Sequence, residues 1–289
     1  MSCMLELTDW KKAWDNALTI SPAVHYRDIG AGWNAYWDYI AEMCCEPVMC
    51  GDPMNDDVIR YLYEEGMFKP RDTVLDIGCG TGTYAIPFAR DASHVTGLDP
   101  SGMMISKLLS AAYVNGLTNI SPVQSRWETF DLEKKYDLVF SAFCPGINDT
   151  YSLFRMEKFS RRSCCYVAGD FTQFELLVGL WNEVMEKSYT IDAFRILYPY
   201  NVLCDSGRDP KLKVFRYRSG SRAPAEEVTE EFVRYFGAFT LMDAEKVNKV
   251  RDFIHSRSVN GKYELGKVRT VCVLHWDVSR EKNIGYNAS

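Results

Sequence analysis

Val74-Leu75-Asp76-Ile77-Gly78-Cys79-Gly80-Thr81-Gly82 is the stretch on which the reading of this chain turns. Val74 to Ile77 is short and apolar enough to be a buried strand, and glycines at three alternate positions follow it directly. Glycine at i, i+2 and i+4 between a strand and a helix suits a backbone that turns sharply and approaches a ligand closely. The dinucleotide fingerprint G-x-G-x-x-G requires glycine at 83, where this chain has Thr83. No Gly-Lys-Ser/Thr follows the loop, so it is not a phosphate-binding P-loop either.

Working outward, Thr81 to Arg90 reads as a helix in which Pro87 is an awkward residue. His94 to Leu98 is a second strand, and it runs into Asp99, 23 residues after Asp76. An acidic residue there accepts hydrogen bonds from ribose hydroxyls; the plainer role is to cap the next helix. Ser101 starts a helix that stops at Asn115-Gly116. Strands follow at Ile120–Gln124, Tyr136–Phe143 and Cys164–Ala168, with a helix from Ser152 to Ser160. Strands and helices alternating at this spacing predict a parallel sheet covered on both faces.

These residues resemble the class I S-adenosylmethionine-dependent methyltransferases. Asp76 to Gly82 is similar to the first motif of that superfamily, and Gly97-Leu98-Asp99-Pro100-Ser101 with Met103-Met104 to the second. Tyr136-Asp137-Leu138-Val139-Phe140-Ser141 resembles its fourth strand. Tyr36-Trp37-Asp38-Tyr39-Ile40-Ala41 is similar to a segment that precedes the core in many small-molecule members. The resemblance implies an α/β fold: a doubly wound, Rossmann-like seven-strand sheet. It further implies that S-adenosylmethionine is the cofactor. Asp76, Gly78, Cys79, Gly80 and Gly82 then hold its methionine moiety and Asp99 its ribose, with Pro100 also among the cofactor-binding residues. Many relatives place an acidic residue after the third strand to receive the adenine amino group. Here the run is Ser125-Arg126-Trp127-Glu128, so Trp127 and Glu128 become the adenine candidates, with Trp127 as a cover for the sheet edge as the other reading.

The chain has 289 residues, 47% hydrophobic and 25% charged, which is ordinary for a globular protein. Its formal net charge of −6 opposes broad phosphate contact, so no nucleic-acid partner and no membrane partner are expected. No run approaches the length of a membrane-spanning helix, and Met1 to Lys12 shows no apolar signal core, so a cytoplasmic location is expected. The ten cysteines include no C-x-x-C, and no two of the four histidines share a helix face. Free thiols and no metal site are therefore expected.

Organisation divides into four parts. Residues 1–55, dense in aromatics, form an N-terminal helical cap, and 56–170 the cofactor-binding core. Residues 171–222 break the strand-helix rhythm after strand five and are read as a lid over the substrate. Residues 223–289, with helices near 225–236 and 243–256 and a final strand from Val268 to Val278, complete the core sheet.

Methyl transfer from a sulfonium needs in-line positioning and exclusion of water more than a catalytic side chain. The candidate catalytic residues are accordingly few: His25, Tyr26 and Cys144, each with packing as its plainer role. Tyr26, Tyr36 and Tyr200 are the candidates to line the acceptor pocket. His275, inside the apolar last strand, reads as a core histidine. Lys211, Lys213, Arg216, Arg218 and Arg222 read as the solvated face of an edge strand, or else as a contact for an anionic acceptor. The expected function is methyl transfer to a small molecule. An RNA or protein methyltransferase and a nucleoside-binding regulator without turnover are the alternatives.

Overall fold

The computed structural model describes residues 8–20, 30–43, 53–170, 174–186, 196–218, 222–265 and 268–279. Five strands come first: β1 (Thr73–Ile77), β2 (His94–Asp99), β3 (Ile120–Gln124), β4 (Tyr136–Ala142) and β5 (Ser160–Asp170). They pair in parallel in the order β3-β2-β1-β4-β5, with Asp76 opposite Gly97 and Phe140. Two more strands, β6 (Lys211–Arg218) and β9 (Val268–Asp277), extend the sheet to seven in the order β5-β9-β6, β9 running antiparallel to both neighbours. The chain leaves β1 toward β2 on one side and returns to β4 on the other. That reversal opens a crevice beyond the C-terminal ends of β1 and β4, where open α/β sheets bind ligands.

Alternation along each strand supplies two cores. Val74, Val95, Phe140 and Cys165 face one side of the sheet, against α3 (Pro53–Glu64), α4 (Ala85–Ala89) and α5 (Gly102–Val114). Leu75, Ile77, Val139 and Cys164 face the other, against α1 (Trp10–Ile20), α6 (Thr150–Phe159) and α8 (Leu197–Asp205). Continuous apolar strands such as Leu138-Val139-Phe140 are what a sheet buried on both faces requires.

A third core stands apart. In it α7 (Phe174–Met185), α9 (Ala225–Gly237) and α10 (Ala244–His255) bury Leu180, Trp181, Phe236 and Ile254 against one another. Helix α2 (Gly30–Met43) joins them through Trp33 and Tyr36, whose rings meet Tyr235 edge-on at 6.0 and 5.5 Å. A two-stranded ladder of β7 (Arg222–Pro224) and β8 (Lys262–Glu264) closes the base of this cap.

The expected division at 171–222 and 223–289 is therefore redrawn. Lys211–Arg218 is not lid but edge strand, because Leu212 and Phe215 pack on the two cores while Lys211, Lys213, Arg216 and Arg218 stay exposed. Helix α8 lies against α1 and α6 beneath the sheet. The cap instead draws α9 and α10 from the segment assigned to the core, since their apolar faces are matched by Leu180 and Trp181 of α7. Among the described residues no helix is long and apolar enough to cross a membrane.

Candidate cofactor and acceptor site

The crevice at the β1–β4 reversal is lined by the glycine loop, the end of β2, the turn after β3, the turn after β4 and one face of α2. Gly78, at φ 71°, has no room for a side chain: an added Cβ would lie 2.6 Å from Cys144 Sγ. Gly80, at φ 53°, has its nearest neighbour 3.8 Å from that position, so its missing side chain leaves the backbone open to the cavity.

Two carboxylates stand behind the loop. Asp99 accepts hydrogen bonds from Gly80 N at 3.0 Å and Ser101 N at 2.9 Å, one at each oxygen. Each oxygen keeps a free lone pair, which suits a pair of ligand hydroxyls. Burial raises its pKa, with those two N–H groups working against the rise. Asp76 is 2% exposed, and its Oδ2 has no hydrogen-bond partner among the described residues. Burial first, then the nearby Asp99, raises the Asp76 pKa to about 8, despite a hydrogen bond from the backbone N–H of Ala85. An orphaned buried acceptor is costly, and a ligand carrying positive charge and N–H donors relieves it. The sulfonium and ammonium groups of S-adenosylmethionine fit that requirement, and the Asp99 oxygens fit its ribose.

The remaining sequence candidates fall in different places. Cys79 and Pro100 line the crevice, and Glu128 lines it from an exposed position. Trp127 borders it but is 3% exposed; its indole N–H donates to the Ser152 carbonyl at 3.1 Å and its ring packs with Phe159. These contacts are those of a residue that covers the sheet edge, while its place in the lining leaves it beside the crevice. Cys144 also lines the crevice, against Gly78, and burial pushes its thiol up to about 12. A raised thiol pKa of this kind favours the protonated, packing role over proton abstraction. Tyr36 stacks on Trp33 at 5.4 Å behind the cavity wall. Tyr200 packs on the core beneath the sheet, away from the crevice, because α8 lies there. His25 and Tyr26 lie outside the described residues. His275 is a core histidine paired with Tyr61 Oη at 3.0 Å, and burial lowers its pKa to about 4.

The polar lining residues Asn34 on α2, Asn55 on α3 and Arg269 on β9 are not legible in the sequence. They belong to no motif, and only the fold brings them together.

A methyltransferase-domain family matches residues 74–155. Ribosomal RNA small subunit methyltransferase G of Escherichia coli O1:K1 is 33% identical over 151 residues, which is 49% of this chain and 68% of that protein. The chain belongs to the class I S-adenosylmethionine-dependent methyltransferases. The protein of the same name from Serratia proteamaculans is 40% identical over 100 residues, 33% of this chain and 48% of that one. The solved structure of the YcgJ protein of Bacillus subtilis shares the fold, with a TM-score of 0.52 at 11% identity, covering 78% of this chain and 100% of YcgJ. The chain spans about half or less of the length of the first curated relatives it matches.

These relatives correct one expectation. The net charge leads to the expectation of no nucleic-acid partner, with an RNA acceptor only as an alternative, yet the matched methyltransferases are named for ribosomal RNA. The error was physical. A net charge of −6 is a sum over the whole chain, whereas the crevice itself carries both Arg126 and Arg269.

Proposed function

We propose that this chain transfers a methyl group from S-adenosylmethionine to an acceptor held beneath α2. The observation that carries the reading is Asp76 Oδ2, which has no partner among the described residues and lies at the foot of the crevice beside Asp99 and the open Gly80 backbone. When bound, the cofactor supplies an electrophilic methyl on a sulfonium whose departure leaves a neutral thioether. Asp76 neutralises cofactor charge, Asp99 holds the ribose, and Gly80 admits the ligand to the backbone. Trp33 and Trp37 on α2 keep water from the reacting centre. No protein base stands at the centre of this reading, so the acceptor arrives with its lone pair available.

A small-molecule acceptor is supported by the aromatic wall that α2 draws over the crevice, backed by Tyr235 and Phe239 of the cap region. An RNA nucleotide is the second reading, supported by the matched relatives named for ribosomal RNA. Incubation with methyl-labelled S-adenosylmethionine, a metabolite extract and ribosomal RNA separates them. Label in the small-molecule fraction supports the first, label in RNA the second. Absence of cofactor binding by calorimetry would refute both.

A further inference from the structure

Asn55 is 6% exposed, yet among the described residues its Oδ1 has no hydrogen-bond partner, and it lines the crevice. A buried amide oxygen left unpaired costs stability unless something donates to it. Nothing in the cofactor reading uses it. Arg269, in the same lining, is exposed at the start of β9; its one side-chain interaction among the described residues is with the Phe143 ring, 5.5 Å from the guanidinium. Phe143 itself is held at φ 52° immediately after β4, a conformation uncommon for a non-glycine residue and found at ligand clamps.

The fold joins these groups and separates them from the cofactor's ribose. Arg269 pairs in register with Tyr217, and Tyr217 Oη donates to Asp57 at 2.9 Å, two residues along α3 from Asn55. Strand β9 stands three places from β1, so at roughly 4.8 Å per strand Arg269 begins about 14 Å from the glycine loop. Asp99 and the turn after β3 lie on the opposite side of β1.

We propose that Asn55 and Arg269 form the acceptor subsite, and that it takes a flat organic acid bearing a hydrogen-bond donor. Arg269 receives the anionic group, a carboxylate or a phosphate monoester, and Asn55 Oδ1 accepts the donor. Phe143 offers a flat apolar surface between them. The subsite deepens the methyltransferase reading and rests on it.

The test uses the full chain loaded with S-adenosylhomocysteine and four probes: benzoate, 4-hydroxybenzoate, phenyl phosphate and neutral benzamide. Calorimetry should detect an acid and miss benzamide, with the benzoate and phenyl phosphate arms deciding which anion is preferred. Arg269→Gln should weaken acid binding at least tenfold while leaving S-adenosylhomocysteine affinity within twofold, which also shows that the variant folds. Asn55→Leu should erase the preference for 4-hydroxybenzoate over benzoate. Equal binding of benzamide, or binding of no acid at all, would overturn the subsite. So would a tenfold loss of S-adenosylhomocysteine affinity in Arg269→Gln, which would give Arg269 to the cofactor. Binding of a short RNA that needs Arg269 when the acids fail would replace the acid with a polynucleotide. Failure of the wild-type chain to bind S-adenosylhomocysteine sinks the methyltransferase reading itself, a result distinct from all of these.

Discussion

Asp76 shows most directly how one side chain trades stability for binding. Its folded pKa of about 8 lies above the ordinary 3.8, so the folded state holds a proton that the unfolded chain releases. Stability from this group is complete below pH 3.8 and is lost as pH rises toward 8. Binding a cationic ligand needs the ionised form. Cofactor affinity should therefore rise with pH up to about 8, with close to one proton released per molecule bound at pH 7. Calorimetry in buffers of different ionisation enthalpy measures that proton directly. Asp76→Asn should lose the pH dependence and at least tenfold in affinity, yet melt higher than wild type at pH 8 in the absence of cofactor. Asp76 and the glycines were legible because strand, turn and ligand each constrain the same few positions. Asn55 and Arg269 were not, because an Asn at a helix start and an Arg in a strand carry no local constraint.

Between elements, two hydrogen-bonded clamps carry testable weight. At the N-terminal ends of three strands, Asp137 on β4 accepts Thr73 N and Oγ1 from β1, both at 2.8 Å, and Arg161 Nε from β5 at 3.1 Å. Burial alone would raise its pKa, but the Arg161 and Thr73 donors outweigh it and hold it at about 2. The folded value is depressed, so this stabilisation is present above pH 4 and is lost as pH falls toward 2. Asp137→Asn should cost about 1–2 kcal/mol at pH 7, after allowance for the half-exposed arginine. Urea melts should show that difference vanishing by pH 2. The second clamp is Ser101, whose Oγ accepts Met104 N at 3.0 Å as the cap of α5 and donates to Asp38 on α2. Ser101→Ala should cost about 1–2 kcal/mol and speed amide exchange in α2. Asp38→Ala should speed exchange in α2 with the α5 cap intact. The strands of the core could be read from their apolar runs, but β5 begins four residues before its apolar run, since Ser160-Arg161-Arg162-Ser163 is fixed by pairing with β4 and by the Arg161 clamp. Helices α9 and α10 were legible as helices. Their partner was not, because an amphipathic pattern gives a helix an apolar face without naming the surface it meets.

Across the whole molecule, the cap is threaded between two neighbouring strands. β6 and β9 pair from Lys211–His275 to Arg218–Val268, yet 49 residues separate Arg218 from Val268. Closing a loop of that length costs an unfolded chain about 3 kcal/mol beyond a constant term. Within the excursion α9 meets α10 locally and β7 pairs with β8 near its two ends, Arg222 opposite Glu264, with α7 added from before β6. If this excursion condenses first, it brings the ends of β6 and β9 together in advance, and the order of events in folding is set by topology. The cap is then a folding scaffold for the edge of the sheet as well as a wall for the crevice. Phe236→Ala, in the centre of the cap, should cost about 3–5 kcal/mol and slow the folding limb of a chevron plot more than it speeds the unfolding limb. A loss confined to the unfolding limb would mean that the sheet edge zips first and the cap docks onto it afterwards.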